Sequence, residues 1–197
     1  MKKLIVSALI ALCLGSCTGN RAVEMAYGIA FATASADTTV TLAPTAGSPQ
    51  CTISCSILYA TGAGAAPHIN RTLLSSAALS PILSGYTEDG RADSTASRLE
   101  PKVVRAMRAY IQTRLEEYRQ MAAMYHSDAA HADSYGQHIA VSTEVTEGAD
   151  SIINYVMTTH IQTGEEAGQT QTQVVNLSAR TGRQVALTDL IIEGAEE

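Results

Sequence analysis

A short segment near the middle of the chain holds the densest set of side chains capable of metal or acid-base chemistry. It contains His126, Asp128, His131 and Asp133, and His138 follows closely. Imidazole and carboxylate groups together ligate divalent metals and exchange protons. Their spacing matches none of the compact zinc motifs, and polar residues are expected wherever a helix connects to a strand. We therefore predict a polar connecting segment and no metal centre, with these four residues as the weak candidate ligands.

A second candidate site is the loop that contains Gly164, Glu165, Glu166 and Gly168. Adjacent residues diverge in a loop, so Glu165 and Glu166 do not form the close carboxylate pair that splits two pKa values. The chain also lacks a G-x-S-x-G nucleophile motif and a phosphate-binding glycine loop. We predict a ligand-binding loop and no enzyme; the alternative is a hydrolase of cell-wall sugar that uses the Asp/His cluster of residues 126 to 138.

The N-terminus predicts export and lipid attachment. Lys2 and Lys3 precede an apolar run from Leu4 to Leu14, which is shorter than the roughly 20 residues of a transmembrane helix. The run ends in Leu14-Gly15-Ser16-Cys17, which resembles a bacterial lipobox. We predict a signal peptide over 1–16, a diacylglycerol on Cys17 and no other cofactor. Thr18 replaces the Asp typical of inner-membrane retention, which favours the outer membrane; a plain secretory signal is the alternative.

Composition restricts the partners of this protein. Its 197 residues suit one domain, and 19 acidic against 13 basic residues give a net charge of −6. Removing Lys2 and Lys3 with the signal peptide changes −6 to −8. An acidic chain lacks the clustered cations with which nucleic-acid binders neutralise phosphates. We predict a tether over 17–28, a single domain over 29–197 and no nucleic-acid partner; the oligomeric state stays open.

The two remaining cysteines lie in a segment with the period of a half-buried strand. From Cys51 to Tyr59 the odd positions are apolar and the even ones through Ser56 are polar. Four residues of strand separate Cys51 from Cys55 by about 13 Å, whereas a disulfide needs Cα atoms within about 7 Å. The pattern predicts two core thiols and neither a disulfide nor a two-cysteine metal site.

The element pattern predicts an α+β fold: an antiparallel meander sheet packed against one long amphipathic helix, with a short second helix and N-terminal strands. Asn70 is expected to cap the short helix, and the capping-box spacing of Ser97 and Glu100 opens the long helix, which extends to Tyr125. The predicted strands span residues 29–33, 37–42, 51–60, 138–145, 152–161, 170–177 and 183–187.

Several of these segments together resemble a bacterial envelope domain of unknown function. The resemblance rests on the strand near Cys51, the Ile69-Asn70 pair, the long helix, Thr163-Gly164, and the stretch from Asn176-Leu177 through Thr181-Gly182-Arg183 to Leu187-Thr188-Asp189-Leu190. It covers roughly residues 29–192. The domain forms the extracellular part of lysozyme-sensing (RsiV-like) anti-sigma factors and accompanies the catalytic domain of some peptidoglycan deacetylases, so the resemblance implies a non-catalytic envelope module.

Two departures from that family pattern affect what the resemblance implies. The family usually has Gly-Gly-Ala-His-Gly after the central strand, whereas this chain has Ala167 at the histidine position. A role of that histidine therefore does not carry over. Family members also continue into a further helix and strands, so we expect the C-terminal part of the domain to be truncated at Glu197.

The sequence thus predicts a lipid-anchored, non-catalytic domain of the cell envelope that binds a basic, lysozyme-like protein or a cell-wall glycan. A structural or assembly lipoprotein is a further alternative, and it predicts a large exposed apolar patch. Whether the domain faces the periplasm or the outside stays open.

Overall fold

The computed structural model describes residues 23–24, 26–43, 47–76, 79, 82, 99–121, 124–125, 129–148, 151–186 and 189. The predicted signal peptide, Cys17, most of the tether, His126, Asp128, the Ser97 cap and residues 190–197 lie outside this part of the chain. The elements are β1 (Val23–Glu24), β2 (Ile29–Thr41), β3 (Gln50–Gly62), α1 (Ala66–Ser75), α2 (Leu99–Gln120), β4 (Gln137–Glu147), β5 (Ile152–Thr163) and β6 (Gln169–Ser178).

The strands form one mixed sheet in the order β1-β2-β3-β4-β5-β6. All neighbours are antiparallel except β3 and β4, which pair in parallel from Cys51↔Gln137 to Ser56↔Ser142. The α+β class is confirmed, but the prediction of a purely antiparallel sheet is wrong. A parallel pair needs a long crossover connection, and here the segment that carries α1 and α2 connects β3 to β4.

Several elements differ from those predicted. The long helix, expected to extend to Tyr125, ends at Gln120. The two short strands expected over 29–33 and 37–42 form one strand, β2, which pairs with β3 over its whole length. The strand expected over 183–187 is reduced to a single bridge between Leu177 and Gln184. Asn70 does not cap α1; it lies inside the helix and is buried, because its amide is used by the sheet.

The predicted core strand is confirmed, and α2 covers its buried side. Cys51, Ile53, Cys55 and Ile57 are all buried on one face of β3. Tyr110 and Tyr118 of α2, both buried, lie near Cys55 and Cys51, so α2 runs opposite to β3. Both cysteines are free thiols. Burial raises the pKa of Cys51 to about 11 and that of Cys55 to about 12, so both stay protonated at neutral pH.

Side chains complete the β3 edge where its pairing with β4 ends. Beyond Ser56, the N–H of Leu58 donates to Thr143 Oγ1 (2.7 Å) and the Tyr155 hydroxyl donates to the Leu58 carbonyl (2.9 Å). At Ala60, the backbone N–H donates to Asn70 Oδ1 (2.7 Å) and Asn70 Nδ2 donates to the backbone carbonyl (2.6 Å). Buried backbone groups without partners are costly, so these side chains take the place of a missing strand.

We expect Asn70→Ala to destabilise the protein by about 2–5 kcal/mol, because it leaves two buried backbone groups of Ala60 unpaired at about 1–3 kcal/mol each. Urea unfolding followed by circular dichroism measures the loss. Arg71→Ala, at the adjacent exposed position of the same helix, is the control and should stay within about 0.5 kcal/mol of the wild type. Equal losses in the two variants would contradict this role of Asn70.

Candidate functional site

The side of the sheet opposite the thiols has exposed side chains on several strands, and we call it the open sheet face. One row across it consists of hydroxyl residues on five adjacent strands, each directly opposite the next: Ser35, Ser56, Ser142, Thr158 and Thr172. Ser35, Ser142 and Thr172 are exposed. Towards the start of β2 this side is covered, since Ile29 and Phe31 are buried. The open sheet face thus carries a row of hydroxyl groups, and its apolar residues include Val174, which is 57% exposed.

Charge is unevenly distributed between the sheet and the rest of the domain. The strands β2 to β6 contain three acidic residues, Asp37, Glu144 and Glu147, and no Lys or Arg. Asp37 and Glu144 are exposed on the open sheet face, where Ser54 Oγ donates a hydrogen bond to Asp37. Within the described part of the chain, every Lys and Arg lies on a helix or on the segment after β6. The open sheet face therefore attracts cations and not anions.

The two segments singled out in the sequence lie against each other at one end of the sheet. The loop after β5 begins with Gly164, whose N–H donates to the Gly136 carbonyl (2.7 Å). A Cβ added at Gly164 would lie 2.9 Å from the Cα of Ser134. Ser134 belongs to the 3₁₀ turn Ala129–Tyr135, which also carries His131 and Asp133. The candidate loop and the Asp/His segment thus form one surface.

The side chains of that surface are exposed. His131 and Asp133 are exposed on the turn, and Glu165 and Glu166 are exposed at the loop tip. Among the residues that the structure describes, no three His, Cys, Asp or Glu side chains are grouped closely enough to hold a metal ion. The arrangement suits contact with a macromolecule, because exposed charges on a loop and a turn present a surface and not an enclosed cavity.

A histidine pair beside this surface was missed in the sequence. His138 of β4 and His160 of β5 have ring centroids 6.3 Å apart, and His160 Nδ1 lies 2.9 Å from Thr170 Oγ1. The His160 ring occupies the space next to Gly168, where an added Cβ would collide with it. The strand pattern puts both histidines on the polar face of their strands, but only the register, in which His138 opposes Gln162, makes them diagonal neighbours.

The fold is similar to that of a bacterial protein of known structure. A member of the DUF3298 family from Bacteroides fragilis superposes with a TM-score of 0.56 at 16% identity, over 86% of this chain and 62% of that protein. A DUF3298 protein from Pseudomonas aeruginosa gives a TM-score of 0.45 at 13% identity, over 83% and 59%. The chain therefore spans about three fifths of the length of these structures. Comparisons with protein-family models and with curated protein sequences find no match.

We expect Gly164→Ala to destabilise the protein more than Gly47→Ala. Both glycines have left-handed backbones, with φ of 59° and 80°, which costs an alanine about 1–2 kcal/mol. Only Gly164 would also press a Cβ against the Ser134 backbone, whereas nothing lies within 4 Å at Gly47. Urea unfolding should show an additional loss of about 1–3 kcal/mol for Gly164→Ala. Equal losses would mean that the loop does not depend on this contact.

Proposed function

We propose that this protein is a non-catalytic binding domain of the bacterial cell envelope. A lipid on Cys17 holds the domain at a membrane, and the open sheet face binds a basic protein. The observation that carries the proposal is the distribution of charge. The open sheet face has acidic and hydroxyl groups, and the strands β2 to β6 contribute no Lys or Arg.

Electrostatics supports a basic partner. An acidic surface accelerates encounter with a cationic protein and disfavours anionic competitors. The predicted mature chain would carry a net charge of −8, after loss of the two lysines from −6. Lysozyme-like proteins are strongly basic, and the resemblance to the lysozyme-sensing envelope domain points to the same class. The fold shared with a DUF3298 protein is compatible with such a module.

Envelope attachment is the second part of the proposal. The lysine pair, the apolar run and the lipobox at Cys17 support export followed by acylation. In the described part of the chain, no helix is long and apolar enough to cross a membrane. A diacylglycerol on Cys17 would anchor the domain, and Thr18 favours the outer membrane.

A cell-wall glycan is the second candidate ligand, favoured by the unbroken row from Ser35 to Thr172 on the open sheet face. Hydroxyl groups both donate and accept hydrogen bonds, as sugar hydroxyls do. The chain has no Trp to stack on a sugar ring. The charge of the surface therefore makes the basic protein the first choice.

We expect the protein to bind lysozyme at low salt and more weakly at physiological salt, because salt screens exposed charges. Asp37→Asn with Glu144→Gln should weaken binding about two- to fivefold for each charge removed. The matched control is Glu116→Gln with Glu117→Gln, exposed positions of α2, which makes the same change in net charge on the other side of the domain. Isothermal titration calorimetry measures both.

The outcomes separate the candidates. No binding of lysozyme at either salt concentration would remove that partner, and equal weakening by the two double variants would show that only net charge matters. Binding of soluble peptidoglycan fragments that is insensitive to salt and lost in Ser142→Ala would instead assign the open sheet face to a glycan.

We expect radioactive palmitate to label the wild-type protein in a bacterial host and not the Cys17→Ala variant, because the lipobox places the acylated thiol at that position. Cys13→Ala is the control, since it removes a cysteine of the apolar run and leaves the acceptor in place. Equal labelling of wild type and Cys17→Ala would refute lipid attachment at Cys17 without bearing on the open sheet face.

A further inference from the structure

Three side chains from distant parts of the chain meet at the opposite end of the sheet from the candidate loop. The Tyr27 hydroxyl lies 2.6 Å from Ser151 Oγ, and Arg180 Nε donates to both oxygens at 3.3 Å. The Arg180 guanidinium also lies over the Tyr27 ring, 5.5 Å from its centroid. Tyr27 precedes β2, Ser151 precedes β5 and Arg180 follows β6. These residues are distant in sequence and meet only in the folded protein.

The backbone at this cluster is strained. Tyr27 and Ser151, with φ of 65° and 68°, are the two non-glycine residues with positive φ in the described part of the chain. Left-handed backbone costs an L-residue about 1–2 kcal/mol, so the surrounding contacts must hold both residues in place. One such contact is the hydrogen bond from the Ala179 N–H to the Ser151 carbonyl (2.7 Å). Strain of this kind accumulates at ligand sites.

The hydrogen bonds of the cluster leave several donors unused. One hydroxyl hydrogen of the Tyr27 and Ser151 pair lies between their two oxygens, and Arg180 Nε–H supplies both oxygens from the other side. Within the described residues, the second hydroxyl hydrogen and the Nη groups of Arg180 have no further partner. Among the described residues, no carboxylate forms an ion pair with Arg180. Such a group of donors is complementary to a ligand that only accepts hydrogen bonds.

The cluster is accessible to a ligand. The Tyr27 side chain is 53% exposed, and Arg180 is exposed. The hydrogen bond with Ser151, followed by that from Arg180, lowers the pKa of Tyr27. An arginine whose Nε is occupied keeps its terminal Nη edge for a planar or tetrahedral oxyanion, and stacking on the tyrosine ring fixes the direction of that edge.

We propose that Tyr27, Ser151 and Arg180 form a binding site for an oxyanion, the carboxylate or phosphate group of a ligand, which contacts the Nη edge of Arg180 and the free hydroxyl hydrogen. The site is independent of the open sheet face, since it lies at the rim of the sheet and has the opposite charge. The competing explanation is a purely structural clamp between the segments that precede β2 and β5.

NMR titration of the full chain at constant ionic strength tests the proposal with sodium acetate, sodium phosphate and, as a neutral control, acetamide. We expect saturable shifts of the Arg180 Nε–Hε signal with acetate or phosphate and none with acetamide; the anion that binds more tightly identifies the ligand group. Arg180→Gln should weaken binding at least about tenfold, followed through the Ala179 and Ser151 amides. Arg180→Lys, which retains the positive charge and loses the paired Nη donors of the guanidinium, should also weaken anion binding.

The matched control is Arg183→Gln, which removes the same charge from an exposed position three residues away and should bind as the wild type does. Urea unfolding identifies any variant that fails to fold. If Arg180→Gln does not fold, Ser151→Gly is the second variant, because it removes the hydroxyl and at the same time relieves the backbone strain. A purely structural clamp predicts lower stability without any saturable shift in the wild type. That result, or equal weakening by Arg180→Gln and Arg183→Gln, would overturn the proposal.

Discussion

The structure depends on the parallel pairing of β3 with β4 and on how that pairing ends. Beyond Ser56, the edge of β3 loses its strand partner and is completed by Thr143, Tyr155 and Asn70. Because Asn70 belongs to α1, this short helix lies against the sheet edge, where two hydrogen bonds to Ala60 and the buried side chains Ile69 and Leu73 hold it. A parallel pair also requires a long crossover, and the segment that carries both helices serves as that crossover.

The placement of α2 on the thiol-bearing face of β3 decides which surface is available for binding. The buried thiols and the tyrosines of α2 form one side of the core, while the hydroxyl row and the acids Asp37 and Glu144 remain on the other side. In the described part of the chain, the basic residues lie on helices and on the segment after β6, which gives the two sides different electrostatic character. The proposed binding of a basic protein follows from this asymmetry, since an evenly charged surface would not steer a partner to one face.

The two ends of the sheet differ in chemistry. At one end, the Gly164 loop and the turn with His131 and Asp133 present exposed acidic and imidazole groups. At the other end, a strained tyrosine and a strained serine hold an arginine whose terminal nitrogens point to no described carboxylate. The acidic face and the cationic site that we propose at the rim would give one small domain two surfaces of opposite preference.

The sequence by itself determined the α+β class, the buried face of β3 with its two thiols, and the strands β4 to β6, because side-chain alternation reports directly which face of a strand is buried. It did not determine which strands are neighbours. Alternation is the same in parallel and antiparallel strands, so the β3 and β4 pair, the diagonal contact of His138 with His160, and the change of Asn70 from a predicted cap to a buried partner of Ala60 came only from the tertiary structure. The same holds for Tyr27, Ser151 and Arg180. Their separations of 124, 29 and 153 residues leave no local pattern, since long-range contacts are set by the packing of whole elements.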